Sequence, residues 1–133
     1  MKGLRLVCVV VLVVCFMGIS LSSCGRNPAE PFIGVWYGYK ISDNSGELVF
    51  SENPILAAAN MELTAEFSTD GTYELHYYVF GKEGEKYPKV GKYEARDNRL
   101  YLVEDNGYCE IIDGELILNF HNGTVKQYYR SNP

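Results

Sequence analysis

Apolar and polar positions alternate with a period of two through most of the chain beyond residue 31, most plainly in residues 61–80. Met61, Leu63, Ala65 and Phe67 alternate with Glu62, Thr64, Glu66 and Ser68, which gives an extended segment one apolar and one polar face. Thr69-Asp70-Gly71 turns the chain, and Tyr73, Leu75, Tyr77 and Val79 then alternate with Thr72, Glu74, His76, Tyr78 and Phe80. Similar patterns predict strands over 32–42, 47–50, 87–96, 99–104, 108–112, 115–120 and 124–130. Asp97-Asn98, Asn106-Gly107, Asp113-Gly114 and Asn122-Gly123 supply turns whose residues tolerate positive φ. Residues 81–86, charged and glycine-containing, read as a hairpin tip; residues 51–60, with Pro54 and three alanines, read as a loop or one helical turn over an end of the sheet. Tight turns between successive strands imply antiparallel neighbours. The expected fold is therefore all-β, a single antiparallel up-and-down β-barrel of about eight strands, because closure removes the exposed edges. At that strand number the interior holds side chains or one small ligand.

The N-terminal region follows another pattern. Residues 6–19 are almost wholly apolar, preceded by Lys2 and Arg5 and followed by Ser20, Leu21, Ser22, Ser23 and Cys24. About 14 apolar residues are too few for a membrane-spanning helix, which needs about 20, and the succession is that of an export signal. Leu21-Ser22-Ser23-Cys24 resembles the lipobox of bacterial lipoproteins. That resemblance implies cleavage before Cys24, a lipid on its thiol and an acyl chain on its new amino terminus, together enough for stable anchoring. Gly25, standing where an aspartate would mark retention at the inner membrane, by the same resemblance favours the outer membrane. The expected organisation is a signal peptide in residues 1–23, a lipidated N-terminus and tether in 24–31 with Pro28 and Pro31, and the barrel in 32–133.

Charge and cysteine content narrow the partners. The chain carries 12 Lys and Arg against 17 Asp and Glu, a net charge of −5. Loss of Lys2 and Arg5 with the signal takes the balance to about −7, which argues against nucleic acid and against a polybasic grip on lipid. Of four cysteines, Cys8 and Cys15 leave with the signal and Cys24 takes the lipid. Cys109 alone remains, so the domain has no internal disulfide and rests on its core. In Tyr108-Cys109-Glu110 it reads as a buried strand thiol with no local activating neighbour.

Gly34-Val35-Trp36, after the short tether, resembles the G-x-W motif of lipocalins and of small lipocalin-like bacterial lipoproteins. The segments 67–73 and 91–94 also resemble hairpin segments of that group. The resemblance covers residues 32–130, and implies that Trp36 plugs the closed end of a barrel with Arg130 of the last strand packed over it. Gly34, Trp36 and Arg130 are expected to be structural.

Candidate chemistry is sparse. Eleven tyrosines suit either a ligand pocket or wide core layers. His76 and His121 show no ligand-like spacing, so neither a metal nor another cofactor is expected. Glu62, Glu66 and Glu74 could cluster as paired carboxylates, though alternation with Thr and Ser reads as a solvent face. Neither a phosphate loop nor a nucleophile elbow is present. The expected function is non-catalytic binding of a small apolar or amphipathic ligand by a lipid-anchored envelope protein. The alternative is a filled barrel whose acidic exterior binds a cationic protein, as a lysozyme inhibitor would. A continuous internal cavity distinguishes the first from the second.

Overall fold

A computed structural model of the chain describes residues 27–133; Cys24 and the signal in residues 1–23 lie outside them. The strands are β1 (Gly34–Asp43), β2 (Gly46–Val49), β3 (Glu62–Phe67), β4 (Thr72–Val79), β5 (Lys82–Glu83), β6 (Lys89–Arg96), β7 (Arg99–Leu102), β8 (Gly107–Ile112), β9 (Glu115–Phe120) and β10 (Val125–Arg130). One short helix, α1 (Pro54–Ala58), joins β2 to β3.

Eight of these strands close an antiparallel barrel in the order β1-β3-β4-β6-β7-β8-β9-β10, with β10 returning to β1. The expected architecture is present, and β2 and β5 are short additions to it. β1 serves two neighbours on one edge: residues from Gly34 to Tyr37 pair with β3, and those from Lys40 to Asp43 pair with β2. Its other edge pairs with β10, with a bulge between Gly38 and Lys40. Gly38 sits where a Cβ would come within 2.6 Å of Leu63 Cβ, so only glycine allows β3 to cross so closely.

The core follows the period-two pattern. Leu63, Ala65, Phe67, Tyr73, Leu75, Leu100, Leu102, Cys109, Leu116, Leu118 and Tyr129 are all buried and form one cluster. Among the described residues the core forms one cluster and the sheet closes on itself, so residues 27–133 carry a core of their own.

Antiparallel connectivity sorts the loops between two ends. At one end lie the chain's entry and the β3–β4, β6–β7 and β8–β9 turns. This end is sealed by a 3-10 turn over Glu30–Phe32, with Ala29 and Phe32 buried. Phe32, which the alternation assigns to the first strand, instead belongs to that turn: Pro31 has the fixed φ and missing N–H that suit a helical start. Residues 27–31 are thus part of a plug, where the sequence reads as tether. At the other end lie the longer connections, partly covered by Phe50 and by α1. Asn53 caps α1, its Oδ1 accepting from the Ile55 and Leu56 amides at 3.0 and 3.1 Å. No helix among the described residues is long and apolar enough to cross a membrane.

Candidate functional site

Gly34 opens β1 at φ +122, a conformation glycine adopts without strain. Two residues on, Trp36 is buried at the sealed end, and its indole N–H donates to the Phe32 carbonyl at 2.9 Å. Arg130 does not cover it. The register sets Arg130 opposite Tyr37 and Tyr129 opposite Gly38, so Tyr129 takes the interior position and Arg130 faces outward. The Arg130 guanidinium lies 3.8 Å from the Tyr39 ring centroid, and its Nε is 3.8 Å from Glu115 Oε1. Glu115 also accepts a hydrogen bond from the Tyr39 hydroxyl. The aromatic partner implied by the resemblance is replaced by one on the outer wall.

His76 is also on the outer wall, stacked on Tyr78 with ring centroids 5.9 Å apart. Its Nδ1 lies 2.7 Å from Glu83 and its Nε2 3.3 Å from Glu74. Desolvation pulls its pKa down, but the two carboxylates outweigh that and raise it above the ordinary histidine value. Glu66 and Glu74 are cross-strand neighbours, and Glu62 lies opposite Tyr78. No group of three or more His, Cys, Asp or Glu residues among the described residues could hold a metal ion. Cys109 is wholly buried, and burial pushes its thiol pKa far up.

One depression, of about 270 Å³, lies beside Tyr37, Tyr39, Glu62 and Arg130, but the one that combines an apolar floor with inward charged groups lies at the unsealed end. A depression of about 830 Å³ opens there. Its floor inside the barrel is Leu63, Leu75, Leu102 and Tyr129, with Phe120 at its side. Lys89 also points inward, because it pairs with the buried Leu75. Its ammonium is 3.8 Å from Asp105 and 5.4 Å from the Tyr87 ring centroid. Asp105 also accepts the Tyr73 hydroxyl at 2.5 Å. Burial, and then this carboxylate, push the Tyr73 pKa far above the ordinary phenol range. Gln127 faces inward opposite Leu118 and accepts the Tyr129 hydroxyl at 2.7 Å. The mouth therefore has an apolar floor and a lip carrying one cation, one anion and an amide. Such a lip can exchange its internal bonds for bonds to a polar head.

No family model matches the chain, and no curated protein matches it. Function is therefore read from the side chains of the mouth.

The depression does not stop at the lip. It continues past Val103 and Asn106 onto the outer wall, where Glu94, Tyr101, Tyr108 and Asn119 line it. These four are successive cross-strand neighbours over β6, β7, β8 and β9. Strand alternation makes Lys89 readable as inward, since it shares parity with Gly91, Tyr93 and Ala95. Asp105 carries no such signal, because its position depends on how the β7–β8 turn folds back.

Proposed function

We propose that the protein is a lipid-anchored component of the bacterial envelope, lipocalin-like in kind, whose barrel binds a small amphipathic molecule at its open end without transforming it. The observation that carries this reading is the inward Lys89–Asp105 pair above the apolar floor of Leu63, Leu75 and Leu102. An apolar tail would displace water from the floor, at about 0.8 kcal/mol per buried methylene. A hydroxylated or charged head would meet Lys89 as donor and Asp105 as acceptor. Anchoring is supported by the box ending at Cys24, three residues before the described chain begins at the sealed end. Three residues reach at most about 10 Å, so a lipid on Cys24 turns the sealed end toward the membrane and the mouth toward the aqueous phase.

The test is native mass spectrometry of residues 27–133 with lauric acid and with 1-dodecanol. One bound molecule per chain is expected, and Leu102→Trp, which fills the floor, should abolish the adduct. Failure of both probes to bind would overturn the reading and shift weight to a cationic protein docking on the Glu66 and Glu74 wall.

A further inference from the structure

We infer that the ligand of the mouth is a glycolipid-like molecule, its tail inside the barrel and its saccharide head laid over the lip onto the Glu94-Tyr101-Tyr108-Asn119 row. This rests on the proposed binding at the mouth and adds the chemical class of the head. The first support is continuity: one depression of about 830 Å³ joins the apolar floor to the outer row. A wholly apolar ligand would have no use for the outer half, and a free sugar none for the inner.

The second support is the chemistry of the row. Tyr101 and Tyr108 lie side by side, with ring centroids 6.1 Å apart and planes tilted by 39°. Sugar rings carry axial C–H faces that pack on aromatic rings, and hydroxyls at their edges that need donors and acceptors. Both are supplied. Arg96 places its guanidinium 4.3 Å from the Tyr101 centroid and makes no salt bridge among the described residues, whereas Arg99 beside Tyr108 is bound to Glu110 at 2.7 Å. Glu94 is exposed and offers a carboxylate. Asn119 is the one buried polar residue among the described residues, at 3% exposure. Its Nδ2 donates to the carbonyls of Ile117 and Tyr108 at 3.2 and 3.4 Å, which directs the two N–H groups into the sheet and leaves Oδ1 as the acceptor. No buried side-chain polar atom among the described residues lacks a partner, so this unpaired oxygen is in reach of solvent. Strands lie about 4.8 Å apart, so the row extends roughly 14 Å. That length suits a short saccharide chain better than a single ring.

The experiment compares, on residues 27–133, dodecyl maltoside below its micellar concentration, 1-dodecanol and free maltose by titration calorimetry. The glycoside is expected to bind about tenfold tighter than the alcohol, with maltose alone too weak to detect. Tyr101→Leu and, as an exposed variant that spares the fold, Glu94→Gln should each lower glycoside affinity toward that of dodecanol without changing dodecanol binding. Equal affinity of glycoside and alcohol, or a glycoside advantage indifferent to both substitutions, overturns the saccharide assignment while leaving mouth binding intact. Measurable binding of maltose alone overturns the joint occupancy. Absence of binding by every dodecyl probe defeats the underlying reading itself.

Discussion

The two ends of the barrel are built from the same eight strands yet spend their sequence differently. At the sealed end the turns are short, and their left-handed positions belong to Gly71, Asp97, Asn98, Asp113 and Gly114, residue types that tolerate positive φ. Below them Trp36, Phe32 and Phe67 are packed away from water. At the open end, Phe80 and His121 occupy left-handed conformations at φ 53 and 50, where an aromatic side chain is strained. Phe80 gains no burial in return, being 75% exposed, and Ile55 and Val103 on the same rim are also exposed. One end is arranged for stability, and the other tolerates strain and bare apolar surface where a ligand would arrive.

Truncation on the core axis should separate the ends most sharply. Trp36→Ala is expected to cost about 3–5 kcal/mol, through lost burial and the cavity left behind, read as a lowered urea midpoint. Phe80→Ser at the rim should stay within about 0.5 kcal/mol of the parent. A comparable loss at both positions would break the division. Next in size, Gly114→Val puts a β-branched residue at φ 79, and about 1–2 kcal/mol should be lost, again in urea. Lys89→Met sharpens the contrast from the other side. It removes an inward charge only half hidden from water, so the melting temperature should barely move, while lauric acid affinity falls by about tenfold.

The smallest effect concerns neither end. Because the His76 pKa is raised in the folded state, its contribution to stability is complete below the unfolded value of about 6.5 and fades as pH rises through the higher folded value. His76→Gln should flatten that part of the pH–stability curve and leave the limb below pH 6 parallel to the parent. An unchanged curve would detach His76 from Glu74 and Glu83.

Turns are legible by residue type at the sealed end throughout and at the open end at Asn106-Gly107 and Asn122-Gly123, but not at Phe80 or His121. Asp113-Gly114 and Asp97-Asn98 announce their turns by residue type, and the strands between them announce their faces by alternation. Arg130 shows where resemblance and register part. Unbroken pairing of β10 with β9 sets Gln127 and Tyr129 inward opposite the buried Leu118 and Leu116 and leaves Arg130 outward, an alternation along β10 that outweighs the resemblance. The outer row is harder still: Glu94, Tyr101, Tyr108 and Asn119 look unrelated along the chain and become neighbours only when four strands are in register. Phe80 gives no turn signal, because an aromatic residue is among the last expected at positive φ.

Cys109, fully enclosed beneath the floor of the mouth and held protonated by its surroundings, turns the barrel into its own stopwatch. It is the sole sulfhydryl of residues 27–133, and an alkylating reagent can reach it only when the wall between β7 and β9 parts. Labelling therefore counts openings of the whole barrel rather than the breathing of its loops. An occupant wedged in the mouth above it would slow the clock in proportion to its grip on the closed form.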